Sequence, residues 1–139
     1  MKNYTFVLLL LLLSLLCVCF AETAYFAVKP AHYDRDEFII QLHDDRKISE
    51  ARKILSGDTT GATHVMGRIR KVQKSYNPKY DYHLDPETIS FFEMAIEVCD
   101  SSATYLNDHL DEACGAFLPG CFWCPWGSSL VRELKDKAY

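Results

Sequence analysis

The residues best suited to chemistry are the cysteines. Cys121-Phe122-Trp123-Cys124-Pro125 holds a C-x-x-C pair, with Cys99 and Cys114 upstream. Such a pair can carry a thiolate of lowered pKa that attacks disulfides. A thioredoxin-like site places that pair between a strand and the start of a helix. Here it follows a helical pattern and lies in a stretch rich in Pro, Gly and Trp, with little chain behind it. Redox use would also leave Cys99 and Cys114 unpaired. Structural bridging by all four is the favoured reading; a thiol–disulfide site at Cys121 and Cys124 is the alternative. Zinc is disfavoured, because no second C-x-x-C or spaced histidine pair completes a tetrahedral set.

The other titratable residues form no recognisable machinery. His32, His43, His64, His83 and His109 stand outside any H-E-x-x-H pattern, and no G-x-S-x-G, P-loop or EF-hand loop occurs. No cofactor and no metal is expected. Arg68, Arg70, Lys71 and Lys74 make the one basic cluster. On a strand, Arg68, Arg70 and Lys74 share a face, either as an ordinary solvated face or as a patch for an acidic partner. Tyr76, Tyr80, Tyr82, Trp123 and Trp126 fall in two loop regions. Aromatics on loops are candidate contacts for a protein or sugar, unless they cover a core edge.

The chain start indicates the compartment. Lys2 precedes an apolar run from Phe6, with leucines unbroken from Leu8 to Leu13, and Cys19 and Ala21 supply small residues around a cut after Ala21. That is the tripartite pattern of a secretory signal peptide, 1–21. The apolar stretch is short of the roughly 20 residues a spanning helix needs. Residues 22–139 then form one domain of 118 residues, with 14 basic against 19 acidic side chains. A mildly acidic chain has no general attraction for nucleic acid, and no nucleic-acid module pattern is present. Secretion into an oxidising compartment makes an even number of cysteines a disulfide framework.

Periodicity sketches the elements that must position these residues. Ala24 to Val28 reads as a strand ended by Pro30. Phe38, Ile40 and Leu42 alternate on a second. His43-Asp44-Asp45 starts a helix carrying Ile48, Ala51, Ile54 and Leu55, which Gly57 stops. His64 to Lys74 is expected as a long strand with a bulge near Gly67. Ile89 to Val98 has the cleanest strand pattern, with Phe92, Met94, Ile96 and Val98 on one face. Asp100 and Ser101 then start a second helix, with Ala103, Leu106, Leu110 and Ala113 as its stripe and Gly115 as its end. Leu130 to Leu134 is the last strand. This order predicts an α+β fold with a largely antiparallel sheet, two helices packed on one face and two disulfides.

Four cysteines allow three pairings. A helix between Cys99 and Cys114 would hold them roughly 20 Å apart, whereas a disulfide needs Cα atoms within about 7 Å. That removes Cys99–Cys114. Cys99–Cys124 with Cys114–Cys121 is preferred, and Cys99–Cys121 with Cys114–Cys124 stays open.

Several of these motifs have a familiar look. His64-Val65-Met66-Gly67-Arg68-Ile69, Tyr76-Asn77-Pro78, Tyr82-His83-Leu84-Asp85-Pro86, Phe91 to Asp100, His109 to Ala113, Gly115 to Gly120 and Trp123-Cys124-Pro125-Trp126 resemble a family of small, mostly secreted proteins. That family is labelled calmodulin-binding-protein-like, after a slime-mould protein whose N-terminal domain its members match. The resemblance spans about Ala24 to Arg132 and carries no catalytic residues with it. Calmodulin itself is a doubtful partner: it grips basic amphipathic helices in the cytosol, and the basic cluster here reads as strand.

The expected function is a secreted, non-enzymatic interaction domain. Its partner would be an extracellular protein or glycan, met through Tyr76, Tyr80, Tyr82, Trp123, Trp126, Arg68 and Arg70. The alternatives are a small secreted enzyme using Cys121 and Cys124, and a secreted protease inhibitor with Gly57 to Thr63 as its reactive loop.

Overall fold

The computed structural model describes residues 22–30, 36–59 and 61–135. The expected signal segment, 1–21, lies outside them, as does His32. Among the described residues every strand pair is antiparallel, and the fold is α+β. No helix among them is long and apolar enough to cross a membrane.

In the first sheet, β1 (Ala24–Lys29) lies between β2 (Phe38–Leu42) and β7 (Ser129–Leu134). Phe26 sits opposite Ile40, and Val28 opposite Phe38. The period of two sends Phe26 and Val28 from β1, and Phe38, Ile40 and Leu42 from β2, into one buried cluster. The register between β1 and β7 slips between Ala27 and Val28.

Helix α1 (Asp45–Ser56) packs against β2 and β7. Its ends follow capping chemistry. The Asp44 carboxylate accepts from the N–H groups of Arg46 at 2.8 Å and Lys47 at 3.4 Å. Gly57 closes the helix with a left-handed φ of 77° and donates to Ile54 O. Ile48 and Ala51 are buried. On the wet side, Arg52 bridges Glu22 and Glu133. These partners raise the Arg52 pKa, and its guanidinium holds the Glu133 carboxyl below the usual range.

The second sheet is built on β3 (His64–Arg70). β5 (Ser90–Phe92) pairs with its first half and β4 (His83–Leu84) with its last two residues. Between them, Arg68 O accepts from Asp85 N and Arg68 N donates to Thr88 Oγ1. β6 (Phe122–Trp123) pairs with Gly67 and Arg68. The expected bulge near Gly67 is absent. β3 alternates regularly, with Val65, Gly67 and Ile69 inward. A Cβ on Gly67 would meet Ile89 Cα and Thr88 Oγ1 at 3.4 Å. The glycine breaks the apolar pattern because it lets that turn approach, not because the strand bends there. β3 also stops at Arg70, short of the expected Lys74.

Two further expectations are corrected. Helix α2 spans only Ala103–Asp108, capped by Ser102, and turns replace the rest as far as Gly115. Ala103 and Leu106 are buried as expected. The strand expected over Ile89 to Val98 ends at Phe92. The chain bends at Glu93, and Glu97–Cys99 is a short 3-10 turn.

Gly57 gives a clean test of the first helix. Nothing lies within 4 Å of a Cβ placed there, so Gly57→Ala should destabilise through the backbone alone. The expected loss is about 1 kcal/mol, with Gly57→Asn costing less. Urea unfolding midpoints of the three proteins check it; an unchanged Ala variant would contradict the left-handed cap.

Candidate binding surface

The loop aromatics separate into two groups. Tyr80, Tyr82 and Trp123 are buried. The Phe38 ring has the rings of Tyr80, Tyr82 and Trp123 each 5.2 Å away. Tyr82 and Trp123 meet edge to face at 5.6 Å. Each polar tip reaches a backbone carbonyl: Trp123 Nε1 donates to Ser101 O at 3.0 Å, Tyr82 OH to Ala103 O and Tyr80 OH to Asp36 O, both at 3.3 Å. Buried Tyr and Trp need such partners. These three side chains hold the core, and a partner cannot reach them without unfolding it. Trp126 does lie on the surface, 38% exposed.

Tyr76 is half-buried, 5.3 Å from the Tyr25 ring, and its hydroxyl has no hydrogen-bond partner among the described residues. Burial, with Tyr25 nearby, pushes that hydroxyl up to about 12. Its neighbour Asn77 fixes the loop from inside: Asn77 Oδ1 accepts from Ile39 N at 3.1 Å, and Nδ2 donates to Tyr82 O at 3.4 Å. The Ser75–Pro86 segment is therefore more a strut between the two sheets than a free loop.

Arg68 and Arg70 do point outward from β3. Arg70 is engaged by Asp85, with Nη2 at 2.6 Å and Nε at 3.0 Å from Oδ2. That guanidinium, helped by the Glu87 N–H, holds the Asp85 carboxyl below its ordinary value. Lys71 Nζ donates to Ala113 O at 2.7 Å. Much of the basic cluster thus braces its own fold.

The four described histidines are likewise tied to the backbone or to a hydroxyl. The Nδ1 of His64, His83 and His109 meets the carbonyls of Ser128, Val72 and Tyr105. His43 Nδ1 meets Thr23 Oγ1. In the candidate inhibitor loop, Thr60 lies outside the described residues.

The disulfides are Cys99–Cys124 and Cys114–Cys121, with Cα atoms 5.1 and 4.2 Å apart. The C-x-x-C cysteines are bonded to different partners and not to each other. Cys124 N also donates to Cys99 O at 2.8 Å. Cys114, Leu118 and Cys121 all have positive φ, so the short bridge closes a tight reversal of the chain. The long helix expected between Cys99 and Cys114 is not present, since α2 ends at Asp108.

Three exposed aliphatic side chains lie where sequence periodicity pointed them inward. Met94 is 82% exposed, Ile96 70% and Val98 58%. After the bend at Glu93 it is Ala95 that turns in, against Phe92, Cys99 and Cys124. Glu93, Met94, Ile96, Glu97 and Val98 are all exposed, so the bend leaves Ala95 as the inward contact of this segment. Trp126 is tied to the same region, because its backbone N–H donates to Asp100 Oδ1 at 2.9 Å. The exposed residues Glu93, Glu97 and Asp100 flank the strip. From Tyr80 to Val131 the chain has nine Asp and Glu and no Lys or Arg. That charge bias is the sequence signal that marks this region.

Comparison with known families matches residues 22–137 to the BP-74 N-terminal domain. It is the calmodulin-binding-protein-like family that the motifs resemble. No curated protein and no solved structure matches the chain.

Two measurements probe this region. Loop closure over separations of 25 and 7 residues predicts losses of about 3.5 and about 2.4 kcal/mol when the bridges are removed. Cys99→Ser/Cys124→Ser should therefore lower the denaturation midpoint more than Cys114→Ser/Cys121→Ser; the reverse order would contradict the loop-closure account. A second test concerns Asp85, whose folded pKa is depressed. Its stabilisation is fully present above the unfolded carboxylate value near 3.8. It is lost as the pH falls through the lower folded value. Asp85→Asn should flatten the fall of Tm on that acid limb, and superimposable limbs would exclude Arg70–Asp85 as a contributor.

Proposed function

The chain belongs to the BP-74 N-terminal domain family, and from that premise we propose a secreted, non-enzymatic binding domain that meets its partner through Met94, Ile96, Val98 and Trp126. The exposure of three consecutive alternate aliphatic side chains carries this reading. Large exposed apolar groups set close together commonly mark interaction sites. They sit beside a disulfide-bonded turn, so little conformational entropy is lost when a partner docks.

Support for secretion comes from three directions. The first residues follow the pattern of a cleaved signal. The family match begins at residue 22, immediately after the expected cut. Two disulfides suit an oxidising compartment. The binding reading is favoured over thiol–disulfide catalysis because Cys121 and Cys124 are each bonded elsewhere. A protein partner is favoured over a glycan, because sugars stack on aromatic rings and this strip is mainly aliphatic.

Expression of the whole chain in a secreting eukaryotic cell should release a product that begins at Glu22, read by mass spectrometry of its N-terminus. Intracellular retention with Met1 in place would refute the secretory reading. Met94→Ser/Ile96→Ser/Val98→Ser should keep the stability within about 1 kcal/mol of wild type, because all three side chains are exposed. It should recover less partner from extracellular material than wild type does; equal recovery would remove the strip as the contact surface.

A further inference from the structure

The strip also has an unused backbone edge. β5 lies at the end of its sheet order, and the chain beyond it is left unpaired. Among the described residues, none accepts a hydrogen bond from the backbone N–H of Met94, Ala95 or Ile96. Ile96 keeps extended dihedrals, φ −79° and ψ 145°, and is the last residue before the 3-10 turn, where its carbonyl accepts from Cys99 N. Met94 and Ile96 point outward on either side of the inward Ala95. The combination matches strand addition, in which backbone bonds supply affinity and alternate side chains supply selectivity.

Charge decides which strand can be added. A second copy paired antiparallel about Ala95 would set Glu93 opposite Glu97 twice, and like charges directly opposite are destabilising. An anionic lipid surface would meet the same repulsion. Among the described residues none of Glu93, Glu97 and Asp100 is in an ion pair that would soften this field. We propose that the edge from Glu93 to Ile96, ahead of the 3-10 turn at Glu97–Cys99, receives an extended segment of a partner protein in which apolar residues alternate with Lys or Arg. The apolar side chains lie along Met94 and Ile96 and reach Val98 on the turn that follows, and the cations meet Glu93, Glu97 and Asp100. The proposal rests on the binding surface assigned above and adds to it the partner's chemistry and pairing mode.

A library of short random peptides, displayed and selected on the immobilised, disulfide-bonded protein at physiological salt, tests it. Recovered peptides should be enriched in alternating apolar and Lys or Arg positions. A representative one should lose roughly tenfold or more in affinity towards Met94→Ser/Ile96→Ser/Val98→Ser. It should also weaken with Glu93→Gln/Glu97→Gln, with a shallower salt dependence. Methylating its backbone nitrogens on the pairing edge should abolish binding while leaving its side chains intact. Recovery of acidic or unpatterned peptides, indifference to N-methylation, or dimerisation lost in the triple Ser variant would each overturn the proposal. If the triple Ser variant loses its extracellular partner but selection shows no basic alternation, the surface stands and this mode of recognition fails. If that variant loses neither partner nor peptides, both fail.

Discussion

Trp123 is held between two cysteines that are each bonded to a separate partner, and the fold is arranged around its burial. Its ring meets Phe38 from the first sheet and Tyr82 from the connection after β3. Its one donor is satisfied by Ser101 O, beside the start of α2. Yet β6, which carries it, is only Phe122–Trp123. A two-residue strand makes too few hydrogen bonds to hold a large side chain in place. The covalent links on either side do that instead. Cys124 is fixed to Cys99, and Cys121 to Cys114. The indole thereby joins the two sheets and the short helix into one core, and the disulfides fix its depth.

Where one face of an element is buried and its pattern is strong, the sequence was legible. Phe38, Ile40 and Leu42 on β2 are such a case, and so are Asp44 and Gly57 at the ends of α1. The nested disulfide pairing also agrees with the expectation, but its physical basis differs. A long helix was to separate Cys99 from Cys114, and the helix proves to be six residues long. What sets the pairing is the backbone bond from Cys124 to Cys99 and the left-handed residues that fold Cys114 back onto Cys121. Such a reversal leaves little trace in periodicity. The tyrosines were misplaced for a related reason. Tyr80 and Tyr82 follow an Asn-Pro turn and read as loop residues. Their partner Phe38 lies far earlier in the chain, where no local pattern points to it.

The segment from Glu93 to Val98 shows the same limit more sharply. Its alternation is real in sequence, but past the bend only Ala95 is partly buried and its neighbours on both sides are exposed. Met66, Phe92, Ala95, Cys99 and Cys124 form a small apolar cluster apart from the main core. Of the segment from Glu93 to Val98, the small side chain of Ala95 is the one turned against that cluster. Burying an aliphatic side chain contributes roughly 1.5–3 kcal/mol, and the fold forgoes that for Met94, Ile96 and Val98. Their exposure follows from giving the disulfide its neighbour. The surface and the staple are one local solution, not two.

An exposed apolar edge is ordinarily a hazard, since edges of one copy can pair with those of another. Charged residues beside such a segment are the usual protection, and Glu93, Glu97 and Asp100 fit that role. Protection alone would be served by either sign, or by both signs interspersed. The three charges beside the strip are instead all carboxylates, and among the described residues none of them is in an ion pair. A field of one sign does more than keep copies apart. It speeds encounter with surfaces of the opposite sign and penalises the rest. The same carboxylates that make the strip safe in the free protein thus also set the charge of what can cover it.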